Sequence, residues 1–348
     1  MRALVFEPGR ADSGRLASIP VPTAEPDRLR VKMRAIGVCG TDFELLSGEY
    51  GWAPSGRKEM VLGHESLGEV VAAPADSGFE AGDLVVGIVR HPDPEPCANC
   101  AAGEWDMCRN GRYTEHGIKE RDGFCSEVYT LAHDFAVKVD RGLGELGVLL
   151  EPASVVAKAW EHVERIGARA VFRPRVVVVT GAGPVGLLAA CMGVQRGLEV
   201  HVLDRVAEGP KPEAVRALGA VYHSAPNGLN DLRGAIDVVV ECTGSDKVVL
   251  EMIEFAGPNS VVCLAGVSSG GRAITIDLGI LNRNMVLENE VVFGSVNANR
   301  RHYRSAAEAL AKAPRDWLAR LVTRRVPLER WREAFTPSPN QIKTILVP

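Results

Sequence analysis

Three cysteines are spaced Cys97-x2-Cys100-x7-Cys108 in a compact, loop-like stretch. Thiolates this close together suit a tetrahedral zinc that staples a loop, and such a site needs a fourth ligand. Asp93, four positions before Cys97, can donate an oxygen, with His91 and Glu95 as its competitors. A second set is dispersed. Cys39 stands in Gly37-Val38-Cys39-Gly40-Thr41-Asp42, His64 and Glu65 in Gly63-His64-Glu65, and Glu151 in Leu150-Glu151-Pro152. Soft thiolate, imidazole and carboxylate together suit zinc. Three protein ligands would leave one position open for a substrate, as metal-assisted chemistry requires. Spacing alone does not assemble this set, because an isolated Cys or His is more often a core residue. That plainer reading is kept for Cys125, Cys191, Cys242 and Cys263.

A third constellation is contiguous. Gly181-Ala182-Gly183-Pro184-Val185-Gly186 follows the β-branched run Val176–Thr180 and opens the helix-like stretch Pro184–Gln195. The first glycine allows the tight turn, the second lets backbone approach a pyrophosphate, and the third lets helix pack on strand. The helix N-terminus offers free N–H groups and a partial positive charge to the phosphates. Asp204 ends the next strand, where a ribose-binding carboxylate is needed. It would repel a 2′-phosphate, whereas Arg205 beside it could pair with one. The expected cofactor is therefore NAD, with NADP admitted.

These residues need two kinds of scaffold. The first 150 residues read as short strands joined by Gly/Pro turns, among them Leu29–Val38, Leu67–Ala72 and Leu84–Val89. From about residue 170 strands and helices alternate: Val176–Thr180, Pro184–Gln195, Val200–Leu203, Glu213–Leu218, Ile236–Cys242, Val261–Leu264 and Val291–Gly294. Such alternation implies right-handed βαβ units and a parallel sheet. After Asn297 come a helix near Arg304–Ala313, a strand Leu321–Arg325 and a last strand Lys343–Val347, which could return to the first domain. A chain of 348 residues has room for two domains. Its net charge of −4 and lack of a basic block give no reason to expect nucleic acid or an anionic membrane surface. Val176–Gln195 carries no charge and could span a bilayer by length, but Gly181, Gly183, Pro184 and Gly186 divide it into strand, turn and helix. The N-terminus reads as a first strand and not as a signal peptide, and the cysteine usage suits a reducing compartment. A cytoplasmic protein is expected.

The order of Val38-Cys39-Gly40-Thr41-Asp42, Gly63-His64-Glu65, the cysteine loop and the glycine fingerprint resembles that of the medium-chain zinc-dependent alcohol dehydrogenases over nearly the whole chain. More narrowly, Gly111-Arg112-Tyr113-Thr114-Glu115-His116-Gly117-Ile118, Leu149-Leu150-Glu151-Pro152 and Gly294-Ser295-Val296-Asn297 resemble the glucose 1-dehydrogenase branch of archaea and some bacteria. The resemblance implies an α/β protein with a GroES-like β domain, residues 1–157 and 299–348, carrying both zincs. Residues 158–298 would form a Rossmann-type doubly wound parallel sheet, with the active site in the cleft between the two. It implies that Cys39, His64, Glu65 and Glu151 surround the catalytic zinc, with Glu65 or Glu151 acting through water, and that Thr41 sits beside the metal as first carrier of a proton. Glu115 and Asn297 match residues that bind sugar hydroxyls, with Thr41 and Glu151 beside the substrate. Thr243 and Asn297 are expected in the cofactor site with Gly181, Gly183, Pro184, Val185, Gly186, Asp204 and Arg205. The implied reaction is oxidation of an aldose at C1 to its lactone, in a homo-oligomer, dimer or tetramer. Two departures stand out. The family's structural zinc usually has four cysteines, where Asp93 stands here with one extra residue of spacing. Val89 and Val155 occupy positions that are polar in some relatives. A polyol or amino-alcohol dehydrogenase of the same fold is the nearest alternative, and a non-catalytic dinucleotide sensor is the alternative of another class.

Overall fold

The computed structural model describes all residues except Ala24, Ser269, Gly271, Arg272 and Pro339. Two compact units emerge, Met1–Ser154 with Asn297–Pro348, and Val155–Val296. The protein is a mixed α/β chain with a GroES-like β unit and a Rossmann-type parallel sheet.

The first unit is built on the strand Arg28–Val38. Its first half alternates, with Leu29, Val31 and Met33 inward and Arg30, Lys32 and Arg34 in solvent. Its last four residues are all buried. This is the pattern of a strand that begins with one wet face and ends covered on both. Glu65–Ala72 pairs with it antiparallel, and Lys343–Val347 pairs with its other edge. The registers Gly37↔Glu65 and Val38↔Thr344 bring the ends of three strands together at one spot. Cys39 follows at once and opens the helix Gly40–Ser47. A separate small sheet of Arg90–His91, Thr114–His116 and Glu120–Arg121 carries Glu115. One buried cluster, including Phe6, Leu29, Met33, Ile36, Leu45, Met60 and Phe124, unites the large sheet with the N-terminal strands. The final strand Lys343–Val347 thus belongs to this unit, although it is coded after the other.

The second unit is a six-stranded parallel sheet. Its strand order is Val221–His223, Glu199–Leu203, Val176–Thr180, Ile236–Glu241, Ala256–Leu264, Val291–Gly294. The strand order reverses at Val176–Thr180, the switch point at which open α/β sheets bind ligands. The uncharged run Val176–Gln195 divides into the strand Val176–Thr180 and the helix Pro184–Gln195. No helix among the described residues is long and apolar enough to cross a membrane.

Several elements differ from expectation. Ala256–Leu264 is longer than the expected Val261–Leu264, and the helix Arg300–Lys312 starts four residues before the expected Arg304. The helix Leu150–Gly167 was not expected at all. Pro152 is tolerated there because it lies in the first turn, where its missing N–H has no helical partner to lose.

Candidate active site

The strand-end convergence builds the first cluster. Cys39 Sγ lies 3.2 Å from His64 Nε2. Ligand atoms of Cys39, His64 and Glu65 all fall within 4.8 Å of one another. His64 and Glu65 are buried, and Cys39 is half-buried. Asp42, 1% exposed, arranges this set twice over. One of its oxygens accepts from the Cys39 backbone N–H at 2.9 Å, and the other lies 3.3 Å from His64 Nδ1. With Asp42 on Nδ1, the ring presents Nε2 toward the thiol, the arrangement by which a carboxylate fixes a metal-binding histidine. Burial lowers the imidazole's pKa, but the Cys39 thiolate and the Asp42 carboxylate outweigh it and leave His64 raised.

Glu65 has its own cation. The buried Lys343 pairs with Glu65 Oε2 and donates to Val38 O at 3.0 Å. There is room for this pair only because residue 37 is glycine; a Cβ there would sit 2.0 Å from Glu65 Oε2. Glu151 stands second in the helix Leu150–Gly167, 8% exposed and outside the three-ligand group. Burial first, and then the Glu65 carboxylate, push its carboxyl up. Thr41, half-buried, is the second residue of the helix that Cys39 opens. Soft and hard donors, buried together with one face supported by Asp42, fit a zinc ion.

The second cluster is local. The thiols of Cys97, Cys100 and Cys108 lie within 4.8 Å of one another, held by the one-turn helix Ala98–Ala101 and the turn Trp105–Met107. The backbone N–H of Arg109 points at Cys97 Sγ, and together with further backbone N–H groups it pulls that thiol down to about 6, while burial pushes the neighbouring Cys100 thiol up. A thiol ready to ionise is a thiol ready to bind metal. The Asp93 side chain does not join the three thiols. Its oxygens accept from Asn110 Nδ2 at 2.8 Å, Arg112 Nε at 3.3 Å and the Glu95 backbone at 2.9 Å. His91 stacks on Phe135 at 3.7 Å, and the exposed Glu95 pairs with Arg112. These two are also outside the cluster.

Glu115 and Asn297 meet directly. Asn297 Nδ2 donates to Glu115 Oε1 at 2.6 Å, and Arg90 Nε donates to the same oxygen at 2.9 Å. Glu115 is 3% exposed. Asn297 adopts φ +63°, a left-handed conformation that Asn tolerates better than most residues. Two positions on, Asn299 donates to Asp106 Oδ1 at 2.7 Å, and Arg301 pairs with Glu104 at 2.7 Å. The segment carrying Asn297 is thereby tied to the loop carrying the thiols.

In the parallel-sheet unit, Gly186 packs so closely that a Cβ would lie 1.8 Å from the Gly181 carbonyl oxygen. Gly181, Gly183, Asp204, Arg205, Lys211, Ser224 and Thr243 line one cavity of about 500 Å³. Pro184 and Val185 open the helix beside it. Asp204 is held in place by three partners. It accepts from Ala182 N at 2.7 Å and Val206 N at 3.2 Å, and Lys211 Nζ lies 3.2 Å away. The buried Glu241 accepts from Thr180 Oγ1 and from the backbone of Thr243 and Gly244, so it shapes the Thr243 turn. This geometry fits a dinucleotide whose pyrophosphate meets the helix N-terminus and whose ribose meets the end of the second strand.

Residues 144–347 match the family described as glucose dehydrogenase C-terminus, and residues 25–141 match the alcohol dehydrogenase GroES-like domain. The chain belongs to the glucose dehydrogenase family. Among its relatives, glucose 1-dehydrogenase of Methanocella arvoryzae is 36% identical over 99% of both chains. Glucose 1-dehydrogenase 2 of Vulcanisaeta moutnovskia is 38% identical over 99% of both. The structure of Haloferax mediterranei glucose dehydrogenase in complex with NADP, Zn and gluconolactone superposes with a TM-score of 0.91 at 32% identity, covering 100% of this chain and 99% of that one. Asp42, Lys343, Arg90, Lys211 and Glu241 were not singled out in the sequence. Only Asp42 left a signal there, as an acid three residues into a helix that follows a ligand-type cysteine.

Proposed function

We propose that this chain oxidises D-glucose, or a similar aldose, at C1 to the 1,5-lactone and transfers the hydride to NAD(P)+. The observation that carries this reading is the pairing of the buried Glu115 with the half-buried Asn297, a carboxylate and an amide joined in the unit that holds the metal-type cluster. A sugar hydroxyl both donates and accepts, and these two side chains supply acceptors and a donor for it. Full-length similarity to glucose dehydrogenases supports the same substrate class.

Cys39, His64 and Glu65 would hold a catalytic zinc, with Glu151 beside them. Bound there, zinc supplies a Lewis acid that lowers the pKa of the substrate hydroxyl. Asp42 keeps the His64 ring in its tautomer, and Lys343 balances the Glu65 charge. Thr41 is the first carrier of the proton that leaves the C1 hydroxyl. When bound, the dinucleotide would supply the acceptor for the hydride that leaves C1. Glu115 and Asn297 fix the ring hydroxyls meanwhile. Cys97, Cys100 and Cys108 would hold a structural zinc, and Asp93 would complete it by turning from Asn110 and Arg112.

For the dinucleotide, Gly181, Gly183, Pro184, Val185 and Gly186 take the pyrophosphate, and Thr243 assists. Asp204 favours NAD, while Arg205, with Lys211 already paired to the carboxylate, lets NADP bind as well. The chain works in the cytoplasm as a homo-oligomer, dimer or tetramer. The exposed Leu278, Ile280, Val286 and Leu287 on one helix support association, and light scattering in solution tests it.

A panel of aldoses and polyols, assayed with NAD and NADP, tests the whole reading. Glucose should yield lactone with a clear preference over sorbitol. Glu115→Ala should lose about ten- to 150-fold in kcat/KM for glucose, with dinucleotide affinity unchanged. A ketose product from a polyol, turned over faster than any aldose, would replace the aldose with a polyol. No turnover in metal-replete protein would leave a dinucleotide-binding sensor.

A further inference from the structure

The small sheet holding Glu115 contains one more charged side chain whose geometry points at the same task. Arg90 is the antiparallel partner of Glu115 in register, and the residue is 6% exposed. A buried guanidinium must satisfy its donors or destabilise the fold. Arg90 does so by spreading over three neighbours. Its Nε donates to Glu115 Oε1 at 2.9 Å, its Nη1 donates to the Asp106 carbonyl at 3.0 Å, and its plane lies 3.8 Å from the centre of the Tyr113 ring. Lys119 covers the same ring at 4.3 Å.

The consequence lies in how the Glu115 carboxylate is shared. Among the described residues, both hydrogen bonds from the protein, from Arg90 and from Asn297, fall on Oε1. Oε2 is thereby left as the acceptor available to a ligand. A planar fork held by stacking fixes a carboxylate's orientation better than a flexible ammonium does. Asp106 extends the frame, because Asn299 bonds its side chain while Arg90 bonds its carbonyl. Arg90 therefore sits where the thiol loop, the Glu115 strand and the Asn297 segment are joined.

We infer that Arg90 is a positioning residue for sugar recognition: by holding Glu115 Oε1 together with Asn297, it presents Oε2 to one substrate hydroxyl and so sets discrimination between epimers at that carbon. The inference rests on the proposal that the ligand is a sugar. It goes further by assigning selectivity to a residue that touches the substrate only through Glu115.

The test compares wild type with Arg90→Lys, Arg90→Gln and Tyr113→Leu as full-length, metal-replete protein. Five quantities are read: KM and kcat for D-glucose and for its C2, C3 and C4 epimers, NADH and NADPH affinity by fluorescence, quenching of the bound reduced dinucleotide by D-glucose in the dead-end complex, and melting temperature. Arg90→Gln should raise KM for glucose by roughly ten- to 150-fold with little change in kcat, and flatten preference at one ring carbon. NADH and NADPH affinity should stay unchanged. Arg90→Lys should recover part of the affinity but less of the epimer preference, since it restores charge without the fork. Tyr113→Leu, which keeps the guanidinium, should weaken selectivity in the same direction and by less.

If every Arg90 variant lowers the melting temperature but keeps the wild-type KM and epimer ratios, the residue is structural only and the inference fails. If Arg90→Gln does not fold, unchanged epimer ratios in Tyr113→Leu and Arg90→Lys overturn it equally. A different pattern would mark failure of the sugar reading. Wild type would then ignore all aldoses, and D-glucose would not quench its bound reduced dinucleotide.

Discussion

The two thiol-bearing clusters of the first unit are made in opposite ways. Cys97, Cys100 and Cys108 come from one loop, and two are half-exposed. Their geometry is set by a one-turn helix and backbone N–H groups within that loop. Cys39, His64 and Glu65 come from the ends of paired strands, with Lys343 arriving from a separation of 305 residues to bond Val38. The contiguous cluster is shaped within its loop, although Glu104 and Asp106 of that loop also hold Arg301 and Asn299. The assembled cluster exists only when the sheet is in register, and its charges are buried and balanced in pairs. Such a site is preorganised for chemistry, and it is also the more fragile of the two.

That contrast is tested first by removing one ligand from each cluster. Cys39→Ala should abolish turnover, by about three decades or more, because losing a Lewis acid forfeits several kcal/mol at the reacting oxygen. Cys100→Ala should leave the folded protein active. Metal analysis should show one zinc lost from each variant against two in wild type. If Cys100→Ala were as inactive as Cys39→Ala, the division of labour between the clusters would be wrong.

The next largest effect concerns the buried pair behind the assembled cluster. Lys343→Met removes the cation from Glu65 and leaves a buried carboxylate unbalanced. Breaking such a pair from one side costs about 3–5 kcal/mol. A urea titration of the metal-free protein should show this as an earlier transition, and Lys343→Met combined with Glu65→Leu should restore much of it. Equal loss in the single and double variants would mean that Lys343 supports the sheet and not Glu65.

Smaller again is the effect of the carboxylate behind the histidine. Asp42→Asn keeps the shape but weakens the hold on His64 Nδ1 and the Cys39 N–H. Such second-layer partners contribute about 10- to 100-fold in metal affinity or activity. Competition with a chelator should reveal weaker binding at the assembled site alone. Zinc retention equal to wild type would show that Asp42 merely caps the helix.

How far these sites could be read from the sequence follows the same contrast. The strand Val176–Thr180 and the helix Pro184–Gln195 have the ends expected from sequence, because a β-branched run, a glycine turn and an apolar helix carry local signals in series. The strand Arg28–Val38 was legible from its alternation for the same reason. The helix Leu150–Gly167 was not, because Glu151-Pro152 at its start reads like a loop until the first-turn rule is applied. Arg90, Asp42 and Lys343 escaped notice because each is defined by a partner distant in sequence or by which atom it faces. Residue type says that Lys343 carries a charge. Only the register Val38↔Thr344 says that the charge is buried beside Glu65.

The smallest effect belongs to Asp93, and it bears on the loop cluster's fourth position. Its carboxylate is occupied by Asn110, Arg112 and the Glu95 N–H, while the thiols stand together without it. If it closes the tetrahedron, it must exchange at least one of these partners for the metal, and the affinity gained is reduced by the bonds given up. Asp93→Ala should therefore lower the melting temperature and the loop's resistance to proteolysis, yet leave turnover of the folded enzyme within about a factor of two. Asp93→Cys offers a softer ligand without those prior bonds. It should slow zinc release from the loop relative to wild type. If Asp93→Ala releases loop zinc no faster than wild type, the fourth ligand is another group and Asp93 serves only to anchor Asn110 and Arg112. If Asp93→Ala instead lowers turnover as far as Asp42→Asn does, the loop is coupled to catalysis through the Glu104–Asp106 contacts with Asn299 and Arg301, and the two clusters are less independent than their construction suggests.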